Sequence, residues 1–275
     1  MNDEETSVNS GDAEQLTVEQ AISNLHQKQD LGARYYAAWW LGRFRVKEPK
    51  AIATLLMALE DEQDRAPDGG YPLRRNAARA LGKLGDRQAV EPLTRCLEFP
   101  DFYVREAAAQ ALETLKDQSC IPALMKLLDG GVATAQLVPG KPHLVQPYEA
   151  VIEALGTLAA TEAIPLIEPF TLHPTDKVQY AAARAMYQLS GKDIYGEILV
   201  KALEGEDLQL RRSALMDLGA VGYIKAKNAI AETLAENSMK LIALKGLLEK
   251  ELQKSSTEEL SADSKEIISL MDSLL

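Results

Sequence analysis

Residues 74–81 read RRNAARAL and residues 105–112 read REAAAQAL. The same eight-residue design recurs at 34–41 (RYYAAWWL), 148–155 (YEAVIEAL), 179–186 (QYAAARAM) and 211–218 (RRSALMDL). Each segment closes on a large apolar residue: Leu41, Leu81, Leu112, Leu155, Met186 or Leu218. The gaps between those closing residues are 40, 31, 43, 31 and 32. A period of 31 or 32 residues accounts for three gaps, and insertions of about nine and twelve residues account for the other two. Two Gly- and Pro-containing stretches supply them, 62–70 (EQDRAPDGG) and 131–142 (GVATAQLVPGKP), with the composition of loops.

A repeat of this length, without strand-like alternation, specifies helix pairs. The quoted segment is the second helix of each pair. The first helices follow in stretches such as 89–97 (AVEPLTRCL) and 120–128 (CIPALMKLL). Pro92, Pro122 and Pro165 stand near their first turns, where a missing N–H is tolerated. Small residues at offsets +3, +4 and +6 of the second helix, for example Ala77, Ala78 and Ala80, allow close helix stacking. One such pair cannot bury its apolar face alone, so neighbours must complete the core. The expectation is an all-α, HEAT-like α-solenoid of about six helix pairs over residues 16–253. It is preceded by a disordered acidic tail (1–15) and followed by a linker and C-terminal helix (254–275). Residues 17–27 read as an entry helix, and Ser264 as the cap of a last helix over 265–275, either a terminal cap of the array or a docking element.

The composition narrows the function. Thirty basic against 41 acidic residues give a net charge of −11, which argues against general nucleic-acid binding. No apolar run reaches the length of a membrane span. The N-terminus lacks the basic and apolar regions of a secretory signal. Two cysteines, Cys96 and Cys120, match no metal or redox spacing, so a reducing, cytoplasmic setting is expected.

Offsets +1, +5 and +9 of the second helix vary most, and helical spacing gathers them on one outer stripe. In a HEAT-like stack this stripe lines the groove. The first two repeats place Tyr35, Trp39 and Arg43, then Arg75, Arg79 and Lys83 there, flanked by Tyr36, Trp40 and Asn76. The third gives Glu106, Gln110 and Thr114, the fourth Glu149, Glu153 and Thr157, the fifth Tyr180, Arg184 and Gln188, and the sixth Arg212, Met216 and Ala220. Aromatic groups, guanidinium forks and carboxylates on one wall suit a planar, conjugated, anionic ligand. They equally suit a face that binds an acidic protein segment, and a non-enzymatic adaptor remains the alternative. The repeated first-position arginines, Arg34, Arg74, Arg105 and Arg211, read instead as architectural. Asp101 and Asp207, four residues before two of them, suggest an Asp–Arg ladder.

Catalytic signatures are missing. His26, His143 and His173 are not spaced as a metal set, no phosphate-binding glycine loop occurs, and no Ser or Cys stands in a nucleophile motif. Cys96 falls on an apolar helix face and reads as a core thiol.

The segments 35–46 (YYAAWWLGRFRV), 71–85 (YPLRRNAARALGKLG) and 103–112 (YVREAAAQAL) carry a resemblance to the phycobilisome lyases with HEAT-like repeats, of the E/F type. The resemblance covers about residues 16–250. It implies a lyase that works as a heterodimer with an F-type subunit. Phycocyanobilin would be the bound substrate, with no other cofactor, joined by a thioether to a cysteine of the apo-phycocyanin α chain. The nucleophilic sulfur then belongs to the acceptor. On that reading Arg43, Arg75 and Arg79 meet the propionates, and Tyr35, Trp39 and Trp40 pack on pyrrole rings with Asn76 beside them. Glu149 or Glu153 then contacts pyrrole nitrogens or moves a proton.

Overall fold

The computed structural model describes residues 16–254 and 259–275. The expected N-terminal tail and most of the expected linker lie outside them. Sixteen α-helices occur among the described residues, and their order reproduces the repeat. They are α1 (Val18–His26), α2 (Leu31–Arg43), α3 (Pro49–Leu59), α4 (Pro72–Leu84), α5 (Val90–Cys96), α6 (Phe102–Leu115), α7 (Ile121–Lys126) and α8 (Gly131–Thr134). The remainder are α9 (Tyr148–Thr157), α10 (Ile164–Ile167), α11 (Asp176–Ser190), α12 (Asp193–Ala202), α13 (Leu208–Val221), α14 (Lys227–Glu232), α15 (Asn237–Lys254) and α16 (Ala262–Ser273). The six quoted segments fall in α2, α4, α6, α9, α11 and α13. The first helices of the pairs are the shorter elements between them, α5, α7, α10 and α14 each continuing a 3₁₀ turn.

The chain forms two compact units, one ending at Leu84 and one beginning at Gly85. In the first, α2 packs on α4, with α1 and α3 beside them. In the second, neighbouring long helices pair as α6 with α9, α9 with α11, α11 with α13 and α13 with α15. The small-residue offsets explain the closeness. Ala77, Ala78 and Ala80 are buried in the first unit, and Ala108, Ala109, Ala111, Ala182, Ala183 and Ala185 in the second. Gly156 of α9 shows how little space remains: a Cβ there would lie 2.8 Å from Ala185 Cα on α11. Gly42 of α2 stands likewise against Ala80 of α4, at 2.7 Å.

Helix starts follow the side-chain chemistry. Thr17 and Gln20 form a reciprocal capping box at α1. Asp101 accepts from the Val104 amide at 2.9 Å, and Asp207 from the Gln209 amide at 2.7 Å. These two carboxylates are therefore helix caps, and the expected Asp–Arg ladder is replaced by another device. The first-position arginines reach backbone carbonyls. Arg105 donates to the Phe99 and Pro100 carbonyls, each at 2.8 Å, and to that of Val145 at 2.9 Å. Arg211 donates to the carbonyls of Leu234 and Gly205. Arg74 donates to that of Asp61. Arg34, 5% exposed, donates to the Leu25 carbonyl and pairs with Asp61 at 2.7 Å. These arginines close off the unsatisfied carbonyl ends of helices and the turns after them. Their role is architectural, as expected, but through carbonyls more than through a ladder.

The last helix begins three residues earlier than expected. Ser261, not Ser264, is its cap, accepting from the Ser264 amide at 3.1 Å. Ile267 is fully buried, and Leu270, Met271 and Leu274 pack on the core formed by Leu218, Ile230, Leu244 and Leu247. Lys227 ties the helix down through Asp263 and Glu266. It covers the end of the array, which an open solenoid requires.

Candidate functional site

In the first unit, α2 carries the aromatic residues on its outer side because Ala37, Ala38, Leu41 and Gly42 take its inner side. Tyr35, Tyr36 and Trp39 are exposed by 41%, 49% and 43%. Tyr36 stacks on Trp39 with ring centroids 5.4 Å apart, and Trp40 leans on Phe44 at 4.8 Å. Arg43 is exposed at the end of the same helix. On neighbouring α4, Arg75, Asn76 and Arg79 are half-buried. Asn76 Nδ2 donates to the Tyr35 carbonyl at 3.0 Å, which fixes α4 against α2 at that level. Asn76 thus has a packing duty that its sequence position did not reveal.

Glu149 and Glu153 belong to the second unit, where the structure shows more than the sequence did. Arg184 of α11 stands among three carboxylates from three other helices. Its Nη2 is 3.5 Å from Glu113 Oε1 of α6, and its Nη1 is 3.4 Å from Glu153 Oε1 of α9 and 3.3 Å from Asp217 Oδ1 of α13. Thr157 Oγ1 also donates to Glu113 Oε1 at 2.7 Å. One guanidinium cannot neutralise three carboxylates, so the excess negative charge must be carried or protonated. Burial pushes the Glu153 carboxyl up to about 8; Arg184 opposes the shift, and Asp217, Glu149 and Glu113 add to it. Burial likewise pushes Asp217 up to about 6, against the pull of Arg184. Glu149, at the exposed edge, is raised more gently by partial desolvation, opposed by Lys177 and aided by Glu106. At neutral pH Glu153 therefore holds a proton, beside Asp217, which holds less of one.

This cluster opens onto a hollow of about 390 Å³ lined by Glu149, Glu153, Lys177, Tyr180, Arg212 and Asp217. Arg212 is engaged by Glu236. The offset stripe contains Glu153 and Arg184, which the structure brings together, and it does not contain Glu113 and Asp217. The available signal was Asp217 itself. It occupies offset +6, which holds alanine in four other repeats (Ala80, Ala111, Ala154 and Ala185). A carboxylate at a core offset asks for a buried partner.

The remaining titratable candidates have structural duties. Cys96 and Cys120 are buried, and burial raises the Cys120 thiol to about 11. His173 is buried between the Ala135 carbonyl and the Thr175 amide. Among the described residues, no helix is long and apolar enough to cross a membrane.

Comparison with known proteins agrees with this architecture. Residues 66–136 match the HEAT repeats family, and residues 33–61 match the PBS lyase HEAT-like repeat. Fold and repeat together define a helical solenoid of the phycobilisome-lyase kind. The phycocyanobilin lyase subunit alpha of Nostoc sp. PCC 7120 is 65% identical over 262 residues, covering 95% of each chain. Its counterpart from Synechocystis sp. PCC 6803 is 63% identical over 262 residues, covering 94% of this chain and 96% of the other. The bilin biosynthesis protein PecE of Nostoc sp. PCC 7120 is 44% identical over 242 residues, 88% of this chain and 90% of that one. A chain in the solved complex of CpcE and CpcF of phycocyanin lyase from Nostoc sp. PCC 7120 superposes with a TM-score of 0.87 at 63% identity, over 100% of both chains. The chain belongs to the phycocyanobilin lyase α-subunit family.

Proposed function

We propose that this chain, paired with an F-type subunit in the cytoplasm, binds phycocyanobilin as substrate and presents it to a cysteine of apo-phycocyanin α for thioether formation. The observation that carries this reading is the likeness, over the full length, to the CpcE–CpcF complex of phycocyanin lyase. The reaction adds the acceptor's thiol S–H across a carbon–carbon double bond of the pigment. Sulfur bonds to one carbon of the double bond and the thiol's proton ends on the pigment, directly or relayed through a base, so no oxidant or metal is needed.

The chain's own residues bind, orient and move a proton. Holding pigment and thiol together removes much of the entropic barrier to their meeting. Tyr35, Trp39 and Trp40 supply flat contact area for pyrrole rings, and Arg43, Arg75 and Arg79 supply cations for propionates. Asn76 holds the Tyr35 backbone in place. Glu153, with its carboxyl near 8, is suited to give a proton at neutral pH and take it back, and Glu149 to accept from pyrrole N–H groups.

The test is co-expression with apo-α chain and phycocyanobilin, with and without the F-type partner. Covalently coloured α chain should need both subunits, and Trp39→Ala and Arg79→Ala should lower its yield with the helical content unchanged. Coloured product that is independent of this chain would refute the proposal and favour the adaptor.

A further inference from the structure

The first hollow of the second unit is continued by another of about 230 Å³, under the loop between α8 and α9; the two share Glu149 and Lys177. Its wall contains a group that nothing above uses. The His143 imidazole lies flat on the Phe102 ring, with centroids 4.0 Å apart and planes 14° apart. The Tyr103 ring stands edge-on to both, at 5.2 and 5.5 Å.

The insertion is held rigidly. Leu137 and Leu144 form an antiparallel bridge, Val138 N donates to the His143 carbonyl at 3.0 Å, and Arg105 of α6 anchors the Val145 carbonyl at 2.9 Å. His143 Nδ1 lies 2.8 Å from the Leu144 carbonyl oxygen. A carbonyl only accepts, so Nδ1 carries the hydrogen, and on the neutral ring Nε2 is left with a lone pair. No hydrogen bond to Nε2 occurs among the described residues. Lys177, exposed on the wall shared with the first hollow, forms no ion pair among them either.

Stacked rings, a fixed imidazole acceptor and an exposed ammonium beside Glu149 together select a ligand. It is flat, bears N–H donors and carries a carboxylate. We propose that this hollow is a second pigment-contacting site, in which one pyrrole ring of an open-chain tetrapyrrole lies at the edge of the His143 imidazole that Phe102 holds in place, its N–H donates to His143 Nε2, and a propionate meets Lys177. The proposal rests on the bilin-lyase reading and extends it to residues outside the α2–α4 face. Glu149, common to both hollows, then faces the length of the pigment that runs from His143 towards Glu153.

The experiment titrates phycocyanobilin into the complex of this chain with its F-type partner and follows visible absorption. Variants are His143→Phe, which keeps a ring on Phe102 and removes the lone pair, Lys177→Gln, and Lys192→Gln as an exposed control outside both hollows. Size-exclusion chromatography checks that each variant still pairs. Losing one hydrogen bond or charge contact should weaken pigment affinity about fivefold or more for His143→Phe and Lys177→Gln, with the control unchanged. Affinity within about twofold of the parent in either of the first two variants, below what one lost contact produces, overturns the site. A parent complex that binds no pigment at all overturns the bilin-lyase reading along with it.

Discussion

Replacing Glu153 by glutamine should stabilise the second unit at high pH, although it removes an ion-pair partner of Arg184. Burial raises the Glu153 carboxyl from an ordinary 4.5 to about 8. In the unfolded chain the group gives up its proton near the lower value. Between the two values the folded state holds more protons, so stability falls as pH rises through that window, and above about 8 the whole penalty is present. A displacement of that size corresponds to at most about 5 kcal/mol. The side chain keeps 23% of its exposure and Arg184 would lose one of three partners, leaving about 1–3 kcal/mol. Glutamine has the same shape and no charge to desolvate, and Glu113 and Asp217 remain for Arg184. The assay is calorimetry or urea unfolding of the second unit near pH 5 and near pH 9. Glu153→Gln should be close to neutral at the lower pH and raise the melting temperature by several degrees at the higher, at about 2–4 °C per kcal/mol for a chain of this size. A variant less stable than the parent at pH 9, or one whose effect is the same at both pH values, would make Glu153 an ordinary ionised partner of Arg184.

Other consequences can be checked in the same way. Arg34→Met should destabilise the first unit by about 3 kcal/mol in urea unfolding, because Asp61 and the buried Asp64 lose their cation; a loss under about 1 kcal/mol would mean that both carboxylates find other partners. Gly156→Ala should lower stability by about 1–3 kcal/mol, since its methyl meets Ala185 where α9 and α11 touch, and a neutral result would show that the two helices can part. Cys120 should resist alkylation by iodoacetamide at pH 8 in the native protein and react after unfolding, because burial holds its thiol near 11; rapid native labelling would contradict its place in the core.

The sequence carried the fold because a HEAT-like core is written at fixed offsets. Ala77, Ala78, Ala80 and Leu81 are buried for the same steric reason as Ala182, Ala183, Ala185 and Met186. The partners of the first-position arginines were not legible, since backbone carbonyls have no residue identity. Ser264 reads as the cap from the sequence, but Ser261 lies one turn before it and takes that role, a choice between two hydroxyls that residue identity does not make. The Arg184 cluster was half-legible: two members lie on the stripe, but Glu113 and Asp217 sit at other offsets in repeats far apart in sequence. The Phe102–His143 stack was hidden because an insertion breaks the periodicity and folds back onto α6, the long helix of the repeat before it.

If the carboxylates around Arg184 move the proton in pigment attachment, as proposed, the rate of attachment must depend on Glu153. Single-turnover thioether formation on the apo-α chain is measured for the parent pair and for Glu153→Gln across pH 6 to 9, and the ratio of the two rates is plotted. A positioned acid or base contributes about 10²-fold or more. The ratio of variant to parent should therefore lie at least tenfold below unity at neutral pH and climb towards unity as the parent's Glu153 loses its proton above about 8. A ratio near one at pH 7, or one that does not change with pH, would mean that Glu153 moves no proton in the attachment step.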